Sequence, residues 1–294
     1  MRWLLLLWMA GALAGQGTLW EEEVAVSFGA DQASYQPPTR SQRDLAYAMA
    51  SALKMGRLES ARGLAERLDY ECRAQSGLMI FQDRYQRGWG RVIARPGGRS
   101  GLVIEAPHPL ADRGTPEIAV AAFVALEADF LLVAGAHRRN HPEPSPQHPF
   151  HAITDMTHTR ATVFNAWHAG AVAPGTVVLQ VHGFSSQRAH ERFDDFPESR
   201  QIVLSDGLDD DFDPPRLRRL RDCLQEDGFE VSIPTYQSKS TRHLGATTNE
   251  QRPLVSEGYF VHMELSERLR ADPDGIARLI KSLRSWWNHE PHPD

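Results

Sequence analysis

Only two cysteines, Cys72 and Cys223, occur in 294 residues. They are too few and too far apart for a structural zinc site built on thiolates. In an oxidising compartment they could join as one disulfide or remain two buried thiols, and their spacing alone does not decide which. An excess of positive charge is also lacking. The 32 Lys and Arg against 38 Asp and Glu give a formal charge of −6, with no basic stripe interleaved with aromatics, so no nucleic-acid partner is expected. Past the N-terminus, no stretch approaches the ~20 consecutive apolar residues that cross a bilayer, so no membrane span is expected in the mature chain. Several motifs are missing as well. The chain contains no Gly-x-Ser-x-Gly elbow for a serine nucleophile. It has no phosphate-cradling Gly-x-x-x-x-Gly-Lys-Ser/Thr, no Gly-x-Gly-x-x-Gly and no His-Glu-x-x-His helix.

What is present begins with a leader-like N-terminus. Met1-Arg2 carries positive charge, Trp3 to Ala10 is unbroken and apolar, and Ala12-Leu13-Ala14 offers a small-x-small cleavage site. This is the layout of a signal peptide over residues 1–14 and predicts a secreted or periplasmic protein. Residues 15–40 are polar and irregular, closing at Pro37-Pro38. The remainder, 41–294, is large enough for one domain with a substantial core. The whole chain's 41% hydrophobic and 24% charged content is that of an ordinary globular protein.

From Ser41 to Leu68 apolar residues recur at helical spacing, with a break near Gly56, so residues 41–95 are expected to form a helical N-terminal extension. Short β-branched runs then alternate with helical segments. Strands are expected at 101–106, 130–134, 176–181, 201–204, 229–233 and 259–263. Helices are expected from Thr115-Pro116 onward and over 161–172, 215–225 and 274–287. Such alternation predicts an α/β fold: a three-layer, mostly parallel twisted sheet with helices on both faces.

In parallel sheets, ligands bind beyond the carboxyl ends of the strands. His108 follows the run ending at Ala106, His182 closes Val177 to Val181, and Glu264 follows Val261-His262-Met263. Neutral imidazoles and carboxylates are the ligands of catalytic zinc, which keeps a further position for water. His108 and His182 therefore supply two candidate ligands. For a third carboxylate, Glu117 is favoured because Thr115-Pro116 marks a helix start that turns it toward the strand ends. Asp112 is the rival, either as the ligand or as a partner orienting His108. Arg138 and Arg139, after the strand ending at Ala134, are candidates for binding a substrate carboxylate; at least one of the two reads equally well as a surface charge. Asp155 and His158 either line the same cleft or cap the next helix.

Three segments carry a family resemblance: Ala106-Pro-His-Pro-Leu-Ala-Asp-Arg-Gly-Thr-Pro-Glu-Ile-Ala119, Val181-His-Gly-Phe184 and Val261-His-Met-Glu-Leu-Ser266. In this order they resemble the zinc-dependent amidohydrolases related to N-formylglutamate amidohydrolase and N-acetylmuramoyl-L-alanine amidase. The resemblance spans roughly residues 100 to 285. It implies a zinc carboxypeptidase-like fold and a Zn(2+) cofactor held by His108, Glu117 and His182, with Glu264 assisting the attacking water. The nine-residue step from His108 to Glu117 varies among those families, and His-Pro-Leu stands here in place of their usual His-Gly-Gly or His-Ser-Gly. The expectation is a zinc-dependent hydrolase acting on an amide bond of a small-molecule or peptide substrate, be it an N-acyl amino acid, a peptide or cell-wall material. The alternatives are a non-catalytic binding protein on the same fold, or a hydrolase with a different nucleophile.

Overall fold

The computed structural model describes residues 35–192, 196–197, 199–208, 215–234 and 244–290. The expected leader, 1–14, and residues 15–34 of the irregular segment lie outside the described residues.

Two helices open the described chain: α1 (Arg40–Lys54) and α2 (Leu58–Arg67). Thr39 starts α1 with a reciprocal cap, its hydroxyl accepting from the Gln42 N–H while the Gln42 side chain accepts from the Thr39 N–H. The helical reading of 41–95 ends there. β1 (Tyr70–Gln75), β2 (Leu78–Asp83) and β3 (Arg91–Ala94) follow, and all three belong to the sheet. β1 and β2 form a hairpin around Ser76-Gly77. Both turn residues have positive φ, 48° and 79°, which matches the twist of a two-residue hairpin turn.

The remaining elements alternate. β4 (Leu102–Ala106) leads into α3 (Thr115–Ala125), and β5 (Phe130–Val133) into α4 (Val163–Ala171). β6 (Val177–Phe184) is followed by α5 (Ser186–Arg192), and β7 (Ile202–Ser205) by α6 (Pro215–Glu226). β8 (Val231–Ser232) and β9 (Tyr259–Ser266) precede α7 (Glu267–Arg270) and α8 (Pro273–His289). Among the described residues the nine strands form one sheet in the order β1-β2-β3-β5-β4-β6-β9-β7-β8. β5, β4, β6 and β9 run parallel to one another. The β1–β3 flank joins β5 antiparallel, and β7 joins β9 antiparallel. The sheet is thus mixed, with a parallel centre.

Two-residue periodicity gives this centre two faces. Ile104, Leu179, Val181, Val261 and Met263 face one way and pack with residues of α3, α6 and α8, including Phe123, Leu220 and Leu279. Val103, Val178 and Phe260 face the other way and pack with residues of α1 and α4, including Met49, Leu53, Phe164 and Trp167. Both layers are apolar at the core because a central parallel strand is covered on both sides. Cys72 and Cys223 are both free, and the Cys223 thiol donates to the Ser282 carbonyl at 3.4 Å.

Candidate metal centre

On the α1/α4 side the apolar pattern stops near the carboxyl ends of the central strands. Glu105 on β4 is paired in register with Gln180 on β6, and Gln180 with His262 on β9. One step further along, His182 is paired with Glu264. All five side chains are buried. Apolar neighbours at 104, 179, 181, 261 and 263 point into the opposite layer, so the same alternation that builds the core gathers these polar groups on one face.

His108 lies two residues past β4. The chain then makes a helical turn, with the Asp112 N–H donating to the His108 carbonyl at 2.8 Å, which returns the Asp112 carboxylate to the imidazole. The Asp112 carbonyl accepts from both the backbone N–H and the hydroxyl of Thr115. Gly114 precedes α3 with φ 89°, and a Cβ there would meet Arg270 at 3.2–3.3 Å, so glycine fits both the backbone and the space. The side chain of Arg270 donates to the carbonyls of Leu265, Phe184 and Arg113, fastening the Asp112 turn to the ends of β6 and β9.

The result is a converging set. Asp112 Oδ2 is 3.6 Å from His108 Nδ1 and 3.6 Å from His182 Nδ1. It also accepts from the Gly183 N–H at 3.2 Å. The opposite edges of both rings are engaged. His108 Nε2 is 2.8 Å from Asp155 Oδ1, and His182 Nε2 is 2.9 Å from Gln180 Oε1. Asp155 accepts from His108 Nε2 and so holds a proton there, which leaves Nδ1, on the Asp112 side, as the nitrogen that could bind a metal. That Nδ1 is buried and has no hydrogen-bond partner among the described residues. Two imidazole nitrogens and a carboxylate oxygen within 4.8 Å of one another, one nitrogen buried without a hydrogen-bond partner, are a donor set that could hold a metal ion. The Asp155–His108 contact has the form in which an outer carboxylate orients a metal-binding histidine.

Electrostatics divide the two ligand-candidate histidines: against burial and Arg138, the carboxylates Asp155 and Asp112 raise His108 above its ordinary value. Burial holds His182 neutral by lowering its pKa to about 4, despite the neighbouring Asp112. Burial and the nearby His182 also push His262 well below its ordinary value. Burial opposes ionisation of Asp112, but the interactions with His108 and His182 outweigh it and hold the carboxyl well below the usual carboxylate range. Glu264 goes the other way. Burial, reinforced by the Asp112 charge, raises it to about 8, and its Oε2 is buried with no hydrogen-bond partner among the described residues. A neighbouring cation favours the ionised form of such a carboxyl.

The structure brings His108, His182 and Glu264 together with Asp112. It does not bring Glu117 to them. Asp112 is one helical turn from His108, whereas Glu117 comes after the left-handed Gly114 and is exposed on the first turn of α3. The cap of α3 is Gly114, and Thr115 instead bonds back to Asp112. Arg138 joins the site through Asp155, with Nη2 at 2.9 Å and Nε at 3.3 Å from Oδ2. Arg139 is exposed. Asp155 also meets His151 at 3.1 Å and His158 at 3.0 Å, so this loop, for which a cleft lining and a helix cap are the two readings, gathers around the carboxylate that contacts His108.

Gln180 and His262 were not singled out from the sequence. The His262 ring lies 4.3 Å from that of His182, and its Nε2 is 3.7 Å from Glu264 Oε1. Their signal was available: Gln180-Val-His182 and His262-Met-Glu264 each repeat a polar residue at period two inside an apolar strand.

No family model matches the chain, and no curated protein matches it. Among solved structures it is similar to the zinc-free form of YNDL, at 13% identity and a TM-score of 0.42, covering 67% of this chain and 89% of that one. It is also similar to N-formylglutamate amidohydrolase from Ralstonia eutropha JMP134, at 16% identity and a TM-score of 0.41, covering 65% and 92%. A carboxypeptidase A candidate from Shewanella denitrificans OS-217 is similar at 11% identity and a TM-score of 0.34, covering 77% and 67%. At these values the likeness is distant.

Proposed function

We propose that this protein is a zinc-dependent hydrolase of amide bonds, exported from the cytoplasm, with His108, Asp112 and His182 as metal ligands and Glu264 as the general base. The observation that carries the reading is the convergence of His108 Nδ1 and His182 Nδ1 on one Asp112 oxygen, with both Nε2 atoms held from behind. Asp112 takes the ligand position for which Glu117 is the sequence candidate.

Bound zinc would supply Lewis acidity, polarising the scissile carbonyl and making water more acidic. Glu264 stands beside His182 on the neighbouring strand and takes the proton from the attacking water. It returns that proton to the leaving nitrogen as the C–N bond breaks. Arg138, 31% exposed and braced by Asp155, offers a guanidinium to a substrate carboxylate in the cleft. His262 packs against His182, with its Nε2 3.7 Å from Glu264 Oε1. The substrate is a small molecule or peptide carrying an amide bond, such as an N-acyl amino acid or cell-wall material.

Metal analysis tests the reading. The purified protein should hold about one equivalent of zinc, lost on His182→Ala. Less than about a tenth of an equivalent under zinc-replete conditions, with no change on His182→Ala, would overturn it. Ligand binding that survives chelation would favour a binding protein on the same fold.

A further inference from the structure

We propose that Gln180 is a positioning residue that sets the tautomer of His182, with its amide locked in one orientation by Glu105, Asn249 and Gln251. The proposal rests on the metal-centre reading above and extends it to residues that touch no ligand-binding atom of that centre.

A glutamine amide can face either way, so its direction must come from its neighbours. Three of them agree. Asn249 Oδ1 accepts from the N–H groups of Gln251 and Arg252 at 2.9 and 3.2 Å, so its amide nitrogen is the group aimed at Gln180, donating to Oε1 at 2.6 Å. The Gln251 amide nitrogen donates to the Met156 carbonyl at 2.9 Å, leaving its oxygen toward Gln180 Nε2 at 3.4 Å. Glu105 presents a carboxylate oxygen to Gln180 Nε2 at 2.8 Å. Its other oxygen is 2.7 Å from His168 Nδ1, on α4. Reversing Gln180 would set oxygen against the Glu105 carboxylate and the Gln251 oxygen, and nitrogen against the Asn249 nitrogen. Glu105, Gln180, His168 and Gln251 are all 0% exposed, so no water relieves such a mismatch, and an unmatched buried polar group costs more than the bond it loses.

The Gln180 oxygen is therefore fixed toward His182 Nε2, 2.9 Å away. An oxygen there accepts a proton and never donates one, so His182 is protonated on Nε2 and offers the Nδ1 lone pair on the side of Asp112. Asp155 imposes the same tautomer on His108 with a charge. Gln180 imposes it on His182 with a neutral amide, and so adds no second negative charge behind the ligand. The sheet makes this possible: Glu105 and Gln180 are register partners on β4 and β6, and Gln180 shares its face with His182 two residues on.

The experiment compares wild type, Gln180→Leu and Gln180→Glu by two readouts: the nitrogen NMR signals of His182 in metal-free protein, and zinc affinity by chelator competition. Metal-free wild type should show Nε2–H and unprotonated Nδ1. Gln180→Leu should lose this preference and bind zinc roughly ten- to a hundredfold more weakly. Gln180→Glu, protonated through its contact with Glu105, still accepts from His182 and should restore zinc affinity to within about threefold of wild type. A residue with only a packing role would lower the melting temperature of Gln180→Leu without altering the tautomer. Wild type carrying the proton on Nδ1, or Gln180→Leu with unchanged zinc affinity, would overturn the proposal. If Gln180→Leu does not fold, the wild-type tautomer and the Gln180→Glu affinity still decide. Failure of wild type to bind zinc would instead sink the metal-centre reading, and the metal-free NMR signals would still decide the role of Gln180 separately.

Discussion

His182 on β6 and Glu264 on β9 are register partners in adjacent parallel strands, on the same buried face of the sheet. This pairing places a candidate metal ligand beside a carboxyl whose pKa burial and the Asp112 charge raise to about 8. Glu264→Gln keeps the shape and removes the base. The variant should retain zinc and lose about 10²- to 10⁴-fold in turnover of any amide substrate found. A fully active variant with normal zinc content would refute the base role.

Asp112 and Glu117 make opposite predictions. Asp112→Ala removes the oxygen shared by the two histidines and leaves them facing each other, with ring centroids 5.0 Å apart. Zinc stoichiometry after dialysis should fall from about one to near zero. Glu117→Gln changes an exposed residue at the start of α3 and should leave zinc content unchanged. The reverse pattern would reinstate Glu117.

Asp155 gathers His108, Arg138, His151 and His158 around one carboxylate. Its pKa is well below the usual carboxylate range because His108, His158 and Arg138 together outweigh the opposing effect of burial. Asp155→Ala should weaken zinc binding about ten- to a hundredfold by freeing the His108 ring. It should also lower the melting temperature, since buried His108 and the half-buried Arg138, His151 and His158 lose their acceptor. Competition with a metal indicator measures the first effect and calorimetry the second.

Arg270 is a test of how the ligand turn is held. Its three carbonyl acceptors lie on β9, at the end of β6 and in the Asp112 loop. Arg270→Met keeps the stem and removes the charged donors, which should cost about 2–4 kcal/mol in urea unfolding. A change below about 0.5 kcal/mol would show that the turn holds without it.

Zinc should stabilise the fold by mass action. At a free concentration a hundred times the dissociation constant the gain is about 2.7 kcal/mol, visible as a higher melting temperature that a chelator reverses. His182→Ala should show no such shift.

Much of the architecture was legible along the chain. The β-branched runs became β4, β5, β6, β7 and β9, and Pro215 and Pro273 open α6 and α8. The β1–β3 flank was harder to read, although Ser76-Gly77 is a hairpin dipeptide, because the preceding helical periodicity ran into it without a proline or a long polar break. The antiparallel entry of β7 beside β9 left no local mark, since strand direction is set by the path of the connections and not by the strand's own residues.

The sequence alone determined that His108, His182 and Glu264 would lie near the carboxyl ends of apolar strands, although β6 and β9 run two residues past His182 and Glu264, because a buried parallel strand stays largely apolar until it nears the rim where solvent and ligand can enter. Only the tertiary structure decided what stands behind and between them. Asp112 meets Gly183 across 71 residues, His108 meets Asp155 across 47, and Gln180 meets Asn249 across 69. Such contacts depend on strand order, on register and on a turn closed by backbone hydrogen bonds to the His108 carbonyl. None of these is a property of a local window of sequence, and together they place Asp112, and not Glu117, beside His108 and His182.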